Sequence, residues 1–216
     1  MSGDQQRGLE RRQRILDAAL QVFSRKGYRE AAVDDIADES RTSKGGVYFH
    51  FPNKHAIFVA LLDRMASLLL ERMQAAAQAE RDPAGRLDAA LKTVFRTFGS
   101  HRTLARLFLV EAMGAGREFD ARMVEVHDAF AAVIKRHLDE AMAQRLIAPI
   151  DTDVTSVAWF GAVNQVVTRW IVTGNPATID DAYPPLRALL LRSVGLPVAA
   201  PDRAPGQPFT DPGPAA

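Results

Sequence analysis

The sequence predicts an all-α protein. Three observations carry that reading: apolar residues recur at helical spacing along most of the chain, strand-like period-2 alternation is nowhere sustained, and no Asn-Gly hairpin signal occurs. The 216 residues can bury one substantial core or two small linked ones. At 47% hydrophobic and 25% charged residues, the composition is that of an ordinary globular protein. Cysteine is absent, so neither disulfides nor thiolate metal sites are expected, which suits a reducing cytoplasm. The first residues show no apolar signal region, and charge interrupts every apolar run well short of a membrane span.

The first helix is expected from about Leu9 to Lys26, with Ile15, Ala18, Ala19, Val22 and Phe23 as its apolar stripe and Gly27 as its stop. Arg7, Arg11, Arg12 and Arg14 crowd its start, where the helix dipole disfavours cations. They face either an external anion or plain solvent. A second helix covers roughly Val33 to Ser40, with Val33, Ile36 and Ala37 inward and Asp34 and Asp35 at its positive end. A third runs over Ser43–Phe51 and is ended by Pro52. Asn53 caps a long fourth helix reaching about Glu80, with Ile57, Phe58, Leu61, Leu62, Met65, Leu68 and Leu69 on one stripe. Asp82-Pro83 opens a second region, with helices at about 83–99, 103–113, 119–145, 153–173 and 183–194. Gly114-Ala-Gly116 and Gly174-Asn-Pro176 are its clearest breaks. The tail 197–216 is Pro-rich and is expected to be disordered. No internal repeat is visible.

The third helix has an unusual tip. Thr42-Ser43-Lys44-Gly45-Gly46 combines hydrogen-bond donors with very small residues, and no acidic residue occurs from Ser40 to Leu62. The net charge of +1 gives no global sign of nucleic-acid binding. The local segregation does: Asp34, Asp35, Asp38 and Glu39 precede the turn, whereas Arg41, Lys44 and Lys54 follow it. Bases neutralise phosphates, and small residues let a helix sink into the major groove.

Between Arg11 and Asp63 the chain strongly resembles the TetR family of bacterial transcription regulators. The likeness rests on Ile15-Leu-Asp-Ala-Ala19, Phe23-Ser-Arg-Lys-Gly-Tyr28, Val33-Asp-Asp-Ile-Ala37, Ser43-Lys-Gly-Gly-Val-Tyr-Phe-His-Phe51 and Asn53-Lys54. It implies a three-helix helix-turn-helix DNA-binding domain over 8–69, with the motif at about 32–51. A long helix would join it to a larger effector-binding and dimerisation domain over 83–196. By the same resemblance Thr42, Ser43, Lys44, Gly45 and Gly46 lie nearest the bases and phosphates of a double-stranded operator. Tyr48, His50 and Lys54 look like backbone contacts, Tyr48 and His50 being otherwise a core aromatic and an uninvolved histidine. Val47, Phe49 and Phe51 look like packing residues. Two departures stand out. Arg41 stands where the family usually has glycine, at a left-handed position costing about 1 kcal/mol, which a phosphate contact by Arg41 would offset. Ala31-Ala32 replaces the usual Ser or Thr cap of the second helix.

The resemblance also implies a homodimer through helices 153–173 and 183–194, where Ala158, Gly161 and Ala162 allow close helix approach. It implies a pocket for a small, largely hydrophobic effector, with Phe95, Phe98, Phe108, Met113, His127, Phe130, Trp159, Val163 and Asn164 as candidate lining. Asn164 and Arg169 interrupt an apolar helix, and either satisfy each other across the dimer or face a ligand. The run from Gly161 to Gly174 is similar to fatty-acid-metabolism members that sense long-chain acyl-CoA. Negative control of transcription is the expected mode. No HExxH, Gly-x-Ser-x-Gly, phosphate-loop or CxxC pattern occurs, and the five histidines lack metal spacing, so neither enzyme, metal site nor cofactor is expected.

Overall fold

The computed structural model describes residues 3–111 and 117–198. The expected Met113, the Gly114–Gly116 break and the tail from 199 on lie outside these. Among the described residues all regular structure is helical: α1 Gly3–Glu30, α2 Val33–Glu39, α3 Lys44–His50, α4 Lys54–Gln78, α5 Pro83–Ser100, α6 Arg102–Arg106, α7 Arg117–Ala143, α8 Thr152–Thr173 and α9 Tyr183–Ser193. A π-helical segment, Leu107–Glu111, continues α6, and a 3-10 turn, Ile179–Ala182, precedes α9.

Local chemistry sets most of these boundaries. Asn53 Oδ1 accepts from Ala56 N at 2.8 Å, Asp82 Oδ1 from Gly85 N at 2.9 Å and Asp151 Oδ1 from Val154 N at 3.0 Å, so α4, α5 and α8 each begin on a side-chain cap. Gly174, at φ 69°, closes α8 by donating to the Trp170 carbonyl at 2.8 Å. Arg102 reinforces that end: it lies 4.8 Å over the Trp170 ring and donates to the Trp170 and Ile171 carbonyls. Gly27 breaks α1 where expected, at φ 77° and ψ 165°, a region open essentially to glycine alone. The sequence places the start of α1 too late, at Leu9 instead of Gly3, because a polar stretch carries no apolar period to read. Leu68, expected on the buried stripe of α4, is 37% exposed.

The two regions share part of one core. Ile15, Phe23, Ile36, Val47, Ile57, Phe58 and Leu61 form the N-terminal core. Leu107, Phe108, Phe119 and Val126, from the second region, complete it. Phe58 is the hub. It meets Phe23 edge-on at 5.4 Å and stacks against Phe108 at 5.7 Å and Phe119 at 5.3 Å. A second core gathers Phe95, Leu138, Trp159, Val167, Trp170, Ile171 and Leu190 from α5, α7, α8 and α9. Between the two, Leu69 and Met73 of α4 pack with Ala90, Val94 and Val133.

Candidate nucleic-acid interface and ligand cavity

The turn between α2 and α3 is tight. Thr42 N donates to the Ala37 carbonyl at 2.9 Å, and Arg41 takes the left-handed conformation at φ 52°. Ser43 caps α3, its Oγ accepting from Gly46 N at 3.1 Å. The two glycines differ. A Cβ on Gly46 would sit 2.7 Å from Thr42 Cγ2 and 3.2 Å from Ser43 Oγ, so closeness to the cap requires glycine there. A Cβ on Gly45 would meet nothing within 4 Å, so Gly45 opens the outer face of the helix. α2 has no side-chain cap at Ala32, but Asp35 reaches back to accept from Ala32 N at 3.0 Å.

Lys44 pairs with Asp34 at 2.8 Å, and this contact holds its ammonium above the usual range. Arg41, Ser43, Gly45 and Tyr48 are exposed, while Thr42, Gly46 and His50 are half-buried. Val47 and Phe51 pack inward as expected. Phe49 does not: it is 84% exposed. At 100° per residue, Val47 and Phe51 share a face and Phe49 points away from both. Burial first, then the charges of Arg11 and Arg12, lower the pKa of His50. Arg12 also lies 4.9 Å over the Phe51 ring. The arginines of α1 therefore extend the basic surface of α3.

Lys54 has a different occupation from the expected phosphate contact. Its ammonium donates to the carbonyls of Tyr28 (2.9 Å), Arg29 (3.0 Å) and Ala31 (2.9 Å), which uses its three hydrogens. It also lies 4.8 Å over the Tyr28 ring. Lys54 thus ties the start of α4 to the end of α1.

A cavity of about 150 Å³ lies among α4, α5, α7, α8 and α9. Of the expected lining residues, Phe98, Phe108, His127, Phe130, Trp159, Val163 and Asn164 are in its wall. Phe95 is not; it is 1% exposed and packs edge-on against Tyr183 at 5.7 Å. Asn164 faces the cavity, whereas Arg169 is not in its wall. Burial holds His127 below the usual imidazole range, against the opposing charge of Asp128, and its ring lies 4.7 Å from Phe160. Sequence reading missed the α4 wall of Leu62, Met65, Leu69 and Met73, and the polar Asp88, His137 and Arg187. The α4 wall was legible as a continuing stripe at helical spacing. Asp88 accepts from Tyr183 Oη and from Arg187 Nε at 2.6 Å, and burial first, then this carboxylate, raises the Tyr183 pKa.

Residues 15–61 match the family model for bacterial regulatory proteins of the tetR family, and 80–183 match the model for a tetracyclin-repressor-like C-terminal domain. The HTH-type transcriptional regulator SrpR of Pseudomonas putida is 30% identical over 152 residues, 70% of each chain. This chain belongs to the TetR family of bacterial regulatory proteins. A second relative, the fatty acid metabolism regulator protein of Bacillus subtilis, is 23% identical over 73% of this chain and 82% of its own. Among solved structures, the Bacillus subtilis transcriptional regulator FadR in complex with stearoyl-CoA superposes with a TM-score of 0.76. It is 21% identical and covers 82% of this chain and 96% of its own, which establishes a common fold.

As a TetR-family member, the chain is a ligand-responsive, DNA-binding transcription regulator. The helix pair α2–α3 and its tight turn lie inside the first matched stretch. Among the described residues, no helix is long and apolar enough to cross a membrane, and no cluster of His, Asp or Glu is fit to hold a metal.

Proposed function

We propose that this TetR-family protein is a cytoplasmic, non-enzymatic repressor. In this reading it binds a two-fold operator as a homodimer and leaves it when a hydrophobic effector fills the cavity. The observation that carries this is the double role of α4. Its N-terminal end is locked to α1 by Lys54 and to the N-terminal core by Phe58. Further along, Leu62, Met65, Leu69 and Met73 line the cavity. A ligand that displaces this wall moves the base of the reading helix with it. It shifts the equilibrium only by its differential affinity for the two arrangements. Two reading helices about 34–36 Å apart would address successive major grooves.

Dimerisation is supported by the outer face of α8 and α9. Val154, Val157 and Val172 on α8 and Leu189 on α9 are 58–66% exposed. Val154 and Val172 lie five turns apart on one side, and a Cβ on Gly161 would meet nothing within 4 Å. DNA-side residues in this reading are Arg41, Thr42, Lys44, Gly45, Tyr48, Phe49 and His50. An acyl chain fits the apolar wall, and long-chain acyl-CoA is the first effector to test. The test is anisotropy on DNA upstream of the protein's own gene, at two salt concentrations, with random DNA as competitor. Competitor-resistant binding that acyl-CoA weakens is expected; binding that random DNA abolishes at every upstream site would overturn the reading.

A further inference from the structure

Among the described residues every phenylalanine is buried or half-buried except Phe49, which is 84% exposed, more than any other large apolar side chain there. Its place on α3 follows from the residue that anchors that helix. Val47 is fully buried. At about 100° per residue, Gly45 stands about 160° and Phe49 about 200° around the helix from Val47. The two flank the outermost line of α3, one turn apart. A Cβ on Gly45 would meet nothing within 4 Å. That line therefore carries bare backbone followed by a single ring, which stands edge-on to His50 with centroids 5.2 Å apart. A phenyl ring held in water contributes nothing to folding, and its apolar area counts only when a partner covers it.

The surroundings of the ring say what that partner is. No acidic residue occurs between Ser40 and Leu62. Arg41 and Lys44, the latter shared with Asp34, stand exposed beside the turn, and Ser43 and Tyr48 add exposed hydroxyls. Arg11 and Arg12 of α1 are close enough to act, after burial, on the His50 ring. An apolar ring framed by cations and hydroxyls fits a polyanion that carries apolar spots, and duplex DNA is such a polyanion. Its major-groove edges offer donors and acceptors at every base pair, but only thymine adds an apolar group, its 5-methyl. A phenyl ring neither donates nor accepts hydrogen bonds in the plane of a base, so the methyl is the feature of that edge it can distinguish.

We propose that Phe49 reads thymine: its ring packs against the 5-methyl group of a thymine in the major groove, and Gly45, one turn before it, leaves the depth for that approach. This rests on the reading of α3 as the helix that enters the groove. Gly45 and Gly46 have no side chain with which to discriminate, so Phe49 supplies sequence preference where they cannot.

The test first selects duplexes from unmodified random-sequence DNA with the full chain. Each thymine of an enriched duplex is then replaced in turn by uracil, which removes the methyl and leaves the base-pairing edge and O4 in place. Unmodified DNA holds no 5-methylcytosine, so a methyl effect there belongs to thymine. By anisotropy at fixed salt, replacing the thymine that Phe49 reads is expected to weaken binding about fourfold per half-site. Phe49→Ala should bind more weakly and no longer distinguish thymine from uracil at that position. Phe49→Leu, which keeps an apolar side chain, should retain part of the difference. Because Phe49 lies outside the core, both variants are expected to melt as the parent does. Equal affinity for thymine and uracil at every position overturns the proposal, as does a difference that Phe49→Ala preserves in full; both outcomes leave α3 as the reading helix. Failure to enrich any duplex overturns the reading of α3 as well.

Discussion

Phe108 stacks on Phe58 with ring centroids 5.7 Å apart and planes 20° from parallel. One face of this pair belongs to the cavity wall, the other to the core beneath the reading helix. Phe108 sits in the π-helical segment, an irregularity often found at functional positions. Phe108→Leu keeps an apolar side chain, so a stability loss of about 1–2 kcal/mol is expected. The ratio of operator affinities with and without an effector that releases the parent protein should shrink about tenfold. An unchanged ratio, measured by anisotropy, would remove Phe108 from the coupling.

Lys54→Met removes three charge-assisted hydrogen bonds to carbonyls and leaves the end of α1 untied. A loss of about 2 kcal/mol or more in unfolding free energy is expected, read by denaturant titration. The slope of log affinity against log salt should stay constant. A slope reduced by about 1 per subunit at unchanged stability would instead make Lys54 a phosphate contact.

The two glycines of α3 separate folding from DNA approach. Gly45→Ala has free space and gains up to about 1 kcal/mol of helix propensity, so its melting temperature should hold or rise. Its operator affinity should fall, because in the proposed reading the added methyl meets the groove. Gly46→Ala crowds Thr42 and the Ser43 cap, and should cost about 1 kcal/mol of stability. The reverse pattern would mean that the outer face of α3 does not meet DNA.

His50 carries a pH signature. Its pKa in the free protein lies below 6.5, so the folded state favours the neutral ring. Its contribution to stability is therefore complete above the unfolded pKa and is lost as the pH falls through that value toward the folded one. A phosphate beside the ring favours the charged form, so operator binding should tighten between about pH 7.5 and about pH 5.5. His50→Gln should flatten both trends relative to the parent at fixed salt. Parallel pH profiles of operator affinity for the two proteins would exclude His50 from the interface.

Leu189→Arg combined with Val157→Arg places charge on the exposed apolar face of α8 and α9. Sedimentation should show monomers, with operator affinity reduced on the order of a hundredfold as two half-sites become one. A dimer that survives both substitutions would move the interface elsewhere.

Much of this protein was legible along the chain. Pro52, Asn53, Asp82-Pro83 and Gly174 stand at helix ends, and Gly27 at the break inside α1, because caps, breaks and helical periodicity act over three or four residues, where sequence order and spatial order coincide. The left-handed Arg41, the Ser43–Gly46 tip and the buried pair Val47 and Phe51 were readable for the same reason. Tertiary structure decided the rest. That Phe108 and Phe119 complete the N-terminal core, that Lys54 is captured by carbonyls from residues 28–31, and that His137 rather than Phe95 faces the cavity depend on pairings dozens of residues apart. Helices that are apolar around much of their circumference offer several faces for burial. Only the simultaneous packing of all of them selects which face meets a neighbour, which lines a cavity and which, as on α8 and α9, is left to solvent.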